Sequence, residues 1–256
     1  MSQPQPSVVP SASLKRNHWV LQGKGGIGKS FVATLIAEHL VRQVTIDGVA
    51  CVDTDPVNAT LAAYPALKAT RLDVLEDGEI SGERFDKLIE RIVTEDKHFV
   101  IDTGATSFLP LTRYLRVMNA LDVIAESGRE AVIHSVIVGG APLLDTLHGF
   151  ATLAEGLPAS AKLVVWLNEF QGPVSDPHTG RPFEEMKVFA EFKDRISAVV
   201  RLAEEKDRMF RNTLRALTER RLLFQEGSKH SDFDLMAKQR VSQVARRIFP
   251  QLEKVI

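Results

Sequence analysis

The strongest constraint on this chain is the octapeptide GKGGIGKS at residues 23–30. It fits the pattern Gly-x4-Gly-Lys-Ser/Thr of a phosphate-binding loop. Glycines let the backbone turn its N–H groups towards phosphate oxygens, and the helix that follows directs its positive end at them. Lys29 would reach the β- and γ-phosphates, and Ser30 would bind Mg²⁺. Strand-like residues 18–22 precede the loop and helix-like residues 31–40 follow it, which is the context that this motif needs.

Two carboxylates, Asp53 and Asp102, each close a short apolar run, at residues 49–53 and 99–102. Such runs are typical of buried strands. Asp102 has the form of the acidic residue that holds Mg²⁺ through water beside a phosphate loop. The alternative for Asp102 is a cap on the next helix. Asp53 leads into Asp55-Pro56, which is either part of the nucleotide site or a plain Asx-Pro turn.

Strand-like and helix-like segments alternate along the chain. This alternation predicts a mostly parallel β-sheet covered by helices on both faces, an α/β fold. Ligands bind such sheets at the carboxyl ends of the strands, so Gly23–Ser30, Asp53, Asp55, Asp102 and Asn168 should share one rim. The predicted strands are 18–22, 49–53, 70–74, 99–102, 133–138, 163–168 and 196–202; the predicted helices are 31–40, 82–94, 110–120, 142–155 and 183–192, with a helical region from 204 that breaks near Gly227.

Length and composition predict one domain. The chain has 256 residues, 44% of them hydrophobic, and a net charge of −1. We expect a flexible Gln-, Pro- and Ser-rich tail at residues 1–15 and a single domain at residues 16–256 with a helical C-terminal region. The single cysteine, Cys51, is expected to be an inert core thiol, and one cysteine per chain suits a reducing cytoplasm. Neither a signal peptide nor a membrane span is apparent.

The charge is unevenly distributed. Residues 208–256 carry eleven Lys and Arg but only five Asp and Glu. A basic region of this kind can contact DNA or anionic lipid, or can be a solvated helix surface. Apolar residues from Val241 to Ile256 fall on one face of a final helix, and Pro250 would interrupt a long interfacial helix. We therefore expect this helix to pack on the sheet rather than to bind a membrane.

Lys24 gives the loop the form Lys-Gly-Gly-x-Gly-Lys-Ser, which resembles the deviant Walker A loop of the partition, cell-division-positioning (MinD-like) and nitrogenase-iron-protein superclass of P-loop ATPases. The resemblance implies ATP and Mg²⁺ as cofactors and an ATP-dependent homodimer. Lys24 would act across the dimer interface with Lys29, and Asp55 would orient the attacking water. Ser30, Asp53 and Asp102 would serve the metal. The implied nucleotide-binding residues are Gly23, Gly25, Gly26, Ile27, Gly28, Lys29, Ser30, Phe31 and, at the adenine edge, Asn168.

The chain departs from this superclass at two places. Gly104-Ala105 stands where prolines often follow the Asp-Thr of the second switch, which senses the γ-phosphate. Val57-Asn58 follows Asp55-Pro56 where partition proteins have a longer segment with Gln. Asn168 has an alternative interpretation as a turn-starting residue, and Lys24 as a solvated lysine. Isolated histidines such as His134 are expected to be structural.

A closer resemblance, to the TraL-type proteins of conjugative plasmids, is carried by residues 20–26, 53–60, 164–168 and 183–187. It implies a cytoplasmic ATPase, of low intrinsic rate, encoded with a plasmid transfer system, with other transfer or partition proteins as partners. A second function class remains open: an ATP-gated DNA- or membrane-binding module for plasmid partition or positioning, in which hydrolysis is incidental. A third is a metabolic ligase on the same fold, for which no substrate motif is present.

Overall fold

The first strand, β1 (Arg16–Val20), lies in the middle of the sheet in the computed structural model, which describes residues 14–76 and 79–256. Most of the predicted tail, residues 1–13, lies outside the described residues. The other strands of this sheet are β2 (Val49–Asp53), β3 (Thr70–Arg71), β6 (His98–Asp102), β7 (Glu130–Val138), β8 (Lys162–Asn168) and β9 (Ile196–Leu202).

Across the described residues the strand order is β3-β2-β6-β1-β7-β8-β9, and every pairing is parallel. On one side of β1 the strands follow in chain order, β7, β8 and β9, whereas on the other side β6 returns to lie between β1 and β2. The carboxyl ends of all these strands meet at one edge, so the predicted α/β fold with a parallel sheet is confirmed. A separate antiparallel hairpin, β4 (Leu75–Glu76) with β5 (Glu79–Ile80), was not predicted.

Helices cover both faces of the sheet. One face packs against α2 to α6 and the other against α1 and α7 to α9. The helices are α1 (Lys29–Val44), α2 (Gly82–Thr94), α3 (Phe108–Val117), α4 (Ala120–Glu126), α5 (Leu143–Gly156), α6 (Lys187–Phe192), α7 (Arg208–Glu219), α8 (Phe224–Gly227) and α9 (Leu235–Leu252).

Two predicted helices are divided. The helix predicted at 110–120 is α3, and α4 follows it after Asn119, whose φ of 48° is a left-handed conformation that asparagine tolerates and a helix does not. The helix predicted at 183–192 is a 3₁₀ turn, Phe183–Glu185, and then α6, because Met186 between them has an extended backbone.

The single cysteine, Cys51, lies in the interior, as predicted. Trp166 is fully buried, and burial raises the pKa of the buried thiol of Cys51 to about 12, as expected for an inert core cysteine. The last helix buries its apolar face, so the expected packing of α9 is confirmed; the buried residues are Ala237, Val241, Val244, Ile248, Phe249 and Leu252. Among the described residues, we find no helix with both the length and the apolar character to cross a membrane.

A chain of buried polar groups runs across three strands. The indole N–H of Trp166 donates to Nδ1 of His134 at 3.0 Å, and Nε2 of His134 lies 3.0 Å from Nδ1 of His18. Because indole can only donate, His134 must carry its proton on Nε2 and donate it to His18. His18 then carries its own proton on Nε2, which has no partner among the described residues. Both imidazoles are therefore neutral.

The C-terminal helices are fastened to α1 by Glu38. This carboxylate is fully buried, and its oxygens accept the backbone N–H groups of Phe224 and Gln225 at 2.8 and 2.9 Å. Arg42, one turn along α1, pairs with Glu38 and stacks its guanidinium 3.8 Å from the ring centroid of Phe249. The helix that follows the phosphate loop, α1, therefore contacts both α8 and α9 directly through Glu38 and Arg42.

Candidate nucleotide-binding site

The loop of residues 23–28 leaves β1 and enters α1 as the sequence predicts. Gly26 and Gly28 have φ values of 71° and 93°, in the left-handed region that glycine adopts without strain. Gly28 is the residue before the first turn of α1. The backbone can therefore wrap around a small volume at the positive end of this helix, which is a ready anion site.

Lys29 lies inside this loop. It is 7% exposed, and its Nζ donates to the carbonyl oxygen of Lys24 at 2.8 Å. Burial lowers the pKa of Lys29, and the nearby carboxylates of Asp102 and Asp55 raise it. The ammonium group thus stands between the loop backbone and the predicted carboxylates, as the motif requires.

Asp102 is the most unusual group in the site. It is fully buried at the end of β6, yet neither carboxylate oxygen has a hydrogen-bond partner among the described residues. Burial raises its pKa to about 7, and the charge of Asp53 adds to the increase. An orphaned, buried carboxylate is costly unless a cation completes it. The hydroxyl of Ser30 lies close enough to lower the pKa of Asp102. This hydroxyl and the Asp102 carboxylate are oxygen groups of the kind that Mg²⁺ prefers.

Asp53 and Asp55 lie at the same edge but hold their own backbone. Asp53 accepts the N–H of Asp55 at 3.1 Å through Oδ1 and the N–H of Ala62 at 3.0 Å through Oδ2. Asp55 uses Oδ1 to accept the N–H groups of Val57 and Asn58 at 2.9 and 3.0 Å. Both oxygens of Asp53 thus brace the turn, whereas Oδ2 of Asp55 accepts no hydrogen bond from the described residues.

The two predicted switch segments touch each other. The hydroxyl and the N–H of Thr54 each donate to the carbonyl of Asp102 at 2.9 Å. A side chain at Gly104 would place its Cβ 2.9 Å from Oδ1 of Asp55 and 3.1 Å from Cδ of Pro56. The glycine that replaces the usual proline therefore has a physical reason: a larger residue would have to displace the Asp55 carboxylate.

Lys24 is exposed at the tip of the loop and pairs within its own chain. Its Nζ lies 2.6 Å from Oδ2 of Asp145, in the first turn of α5. The sequence did not indicate this partner, because 121 residues separate the two. That Lys24 reaches a second copy stays a prediction. To do so, Lys24 would have to break its ion pair with Asp145.

Gln22 is a site residue that the sequence analysis missed. Its Oε1 accepts the N–H of Gly23 at 2.8 Å, while its Nε2 donates to the carbonyls of Val136 and Thr146 at 3.2 and 2.9 Å. Gly149 makes room for this amide, since a Cβ there would come within 1.9 Å of Oε1. The available signal was a polar residue between a buried strand and the loop.

A cleft of about 900 Å³ opens beside the loop, between the end of the sheet and helices α7 and α9. Gly26, Gly28 and Phe31 line it on the loop side, and Asn168 and Phe170 line it at the end of β8. Asn168 is only 6% exposed, and its Nδ2 donates to the carbonyl of Ile27 at 3.0 Å. Four predicted site residues, Gly26, Gly28, Phe31 and Asn168, therefore line this cleft, whereas Lys29, Asp53, Asp55 and Asp102 lie outside its lining. Within the described part of the chain, no cluster of three or more His, Cys, Asp or Glu could hold a metal by itself.

Comparison with known proteins supports the fold and identifies the family. No family model matches the chain. A solved structure of the MinC:MinD cell division protein complex from Aquifex aeolicus is similar in fold, with a TM-score of 0.50 and 15% sequence identity over 91% of this chain and 95% of that chain. At this identity the likeness shows the P-loop α/β fold alone.

Sequence relatives are much closer. The chain is 40% identical over 236 residues to a protein named Protein TraL from Escherichia coli, covering 92% of this chain and 96% of the relative. A second Escherichia coli Protein TraL is 38% identical over the same length. Similarity of this extent, over nearly the whole of both chains and through the phosphate loop, leads to one assignment: the chain belongs to the TraL family.

Proposed function

We propose that this TraL-family chain binds Mg²⁺-ATP, hydrolyses it slowly and uses it as a dimerisation switch in plasmid conjugative transfer. The observation that carries the proposal is Asp102, a buried carboxylate without a partner, beside a phosphate loop that begins a helix. The wider setting, a TraL relationship and a MinD-like fold, supports a nucleotide-dependent role in transfer.

The residues divide the chemistry among them. Ser30 and Asp102 would hold Mg²⁺, which when bound neutralises phosphate charge and orients the phosphates. Lys29 adds a positive charge from the loop. The second oxygen of Asp55, which the turn does not use, would accept a hydrogen bond from the attacking water and hold it in line. Phosphoryl transfer needs this kind of positioning and charge stabilisation more than covalent chemistry.

The low rate follows from Lys24. In the single chain its ammonium is paired with Asp145, so the charge is held away from the phosphates of a second copy. Three exposed apolar side chains lie at the same edge of the sheet as this lysine: Val57 (70% exposed) after Pro56, Leu109 (68%) beside the Phe108 that packs on Gly23, and Leu144 (71%) next to Asp145. Their exposure supports a second copy that covers them when ATP is bound.

The test is the solution mass by light scattering without nucleotide, with Mg²⁺-ADP and with Mg²⁺-ATP. We expect ATP to convert wild type to a dimer and Lys24→Ala to stay monomeric, while Lys187→Ala, at an exposed lysine on α6, behaves as wild type. Leu144→Asp should also block dimerisation but retain nucleotide binding. If Lys24→Ala and wild type have the same mass in every nucleotide, the switch is refuted.

A second function is favoured by one surface. Arg208, Arg211 and Arg215 repeat at helical spacing on exposed positions of α7. In this alternative, DNA is the main ligand, ATP gates its binding, and hydrolysis is incidental. Fluorescence anisotropy with a 30-base-pair duplex at 50 and 200 mM salt tests it: binding should require ATP, weaken with salt and weaken further in Arg208→Ala/Arg215→Ala. Binding that ignores nucleotide would remove the gating.

A further inference from the structure

Asn168 is built into the phosphate loop as well as into the cleft. It ends β8, which is separated from β1 by β7 in the sheet. Its Nδ2 donates to the carbonyl oxygen of Ile27 at 3.0 Å, and its Oδ1 accepts the N–H of Phe170 at 3.4 Å. Ile27 itself is 1% exposed. The side-chain amide therefore connects a buried point of the loop to a strand that is not its neighbour.

The contact fixes a peptide group that faces the phosphate site. In a trans peptide the C=O and the following N–H point in opposite directions. Holding the Ile27 carbonyl towards β8 therefore turns the N–H of Gly28 away from β8. Gly28 has a φ of 93°, and a Cβ there would lie 2.9 Å from Nδ2 of Asn168, so the amide also packs against the residue that precedes Lys29.

We propose that Asn168 is a positioning residue for the phosphate loop, acting through the Ile27 carbonyl, so that it sets affinity for the phosphates whatever base is attached. This rests on the proposed nucleotide binding. An asparagine amide has two N–H donors, and one of them is already used. Only the second N–H donor would then be available for the adenine-reading role that the superclass implies.

The probe that separates the two roles is inorganic tripolyphosphate, which has neither base nor ribose. Its affinity and those of ATP and GTP, each with Mg²⁺, are measured by calorimetry on the full chain. We expect Asn168→Ala to weaken all three by the same factor, about two- to tenfold, as for the loss of one buried hydrogen bond. Asn168→Asp, which keeps the acceptor for Phe170 but has no donor for Ile27, should weaken all three at least as much.

Phe170→Ala is the matched control, because this residue lines the same cleft but is 59% exposed and its side chain has no hydrogen bond to the loop. It should weaken ATP and GTP and leave tripolyphosphate unchanged. If the Asn168 variants, folded by circular dichroism, lose ATP but keep wild-type affinity for tripolyphosphate or for GTP, Asn168 is a base reader and the inference is refuted. If wild type binds none of the three, the nucleotide-binding proposal itself fails.

Discussion

Acid should destabilise this protein through its buried histidines. Burial lowers the pKa of His134 to about 3, and burial is also the main reason that the pKa of His18 lies well below its usual range. The structure explains why protonation is resisted: Nδ1 of His134 already accepts the Trp166 N–H, so a second proton would put two donors face to face. In the unfolded chain a histidine titrates near 6.5.

The sign and size follow from linkage. Well above a pH of about 6.5 these histidines are neutral in both the folded and the unfolded protein, so they do not reduce the free energy of unfolding. As the pH falls, the unfolded state binds protons that the native state refuses, so each histidine costs about 1.4 kcal/mol per pH unit, or roughly 2 kcal/mol at pH 5. His98, with a pKa lowered to about 4, also reduces the free energy of unfolding as the pH falls. Asp102 has the opposite effect, because its pKa is raised to about 7 and the folded protein therefore binds this proton first.

A difference measurement isolates one histidine from these other groups. His134→Gln keeps an acceptor for the Trp166 N–H but cannot be protonated. Free energies of unfolding are measured by urea denaturation at pH 7.5, 6.5, 5.5 and 5.0. We expect the variant, although less stable at pH 7.5, to lose roughly 2 kcal/mol less than wild type by pH 5. His148→Gln, at an exposed position of α5, is the control. Parallel pH profiles for wild type and His134→Gln would refute the reasoning.

Three further predictions concern the candidate site. Gly104→Ala should push the carboxylate of Asp55 out of line, lowering kcat for ATP hydrolysis about 10- to 100-fold with little change in KM. Asp145→Asn should release Lys24; because this ion pair is exposed, worth about 0.2–1 kcal/mol in each of the two copies, the ATP-dependent dimer should tighten about 2- to 30-fold by sedimentation. Asp102→Asn should weaken Mg²⁺ binding about 10- to 100-fold by calorimetry; in wild type, affinity should rise with pH through about 7, as the carboxyl ionises.

Each of these has its own control. Gly156→Ala, where an added Cβ meets nothing within 4 Å, should leave hydrolysis unchanged. Glu155→Gln, on the same helix as Asp145, should leave the dimer unchanged. An equal loss of rate in both glycine variants, a weaker dimer in Asp145→Asn, or pH-independent Mg²⁺ affinity near neutrality would each contradict the corresponding argument.

The sequence predicted the elements whose pattern is local. β2 and α2 were predicted with the bounds that the structure has, because an apolar run ending in Asp53 and an apolar spacing of three and four need no distant partner. The common rim of Lys29, Asp53, Asp55 and Asp102 followed from parallel pairing alone. The left-handed Asn119 that separates α3 from α4 could not be predicted, since asparagine is also compatible with a helix.

What the sequence could not predict are contacts across long separations. Lys24 with Asp145, Gln22 with Thr146 and Ile27 with Asn168 are 121, 124 and 141 residues apart. Each depends on the final geometry of the sheet edge. These contacts determine how the phosphate loop is held and which residue Lys24 pairs with, and a sequence motif specifies neither.

The central position of β1 has a consequence for biosynthesis. β1 is made before both of its neighbours in the sheet, residues 98–102 and 130–138. His18 and His134 are 116 residues apart, so at about 5–20 residues per second β1 waits roughly 6–23 seconds for its second partner. Both edges of this buried strand are unpaired until β6 is made, and one edge remains unpaired until β7 is made, a state that invites aggregation. Production of the protein in cells should therefore depend on chaperones that hold nascent chains, and its refolding yield should fall steeply with concentration.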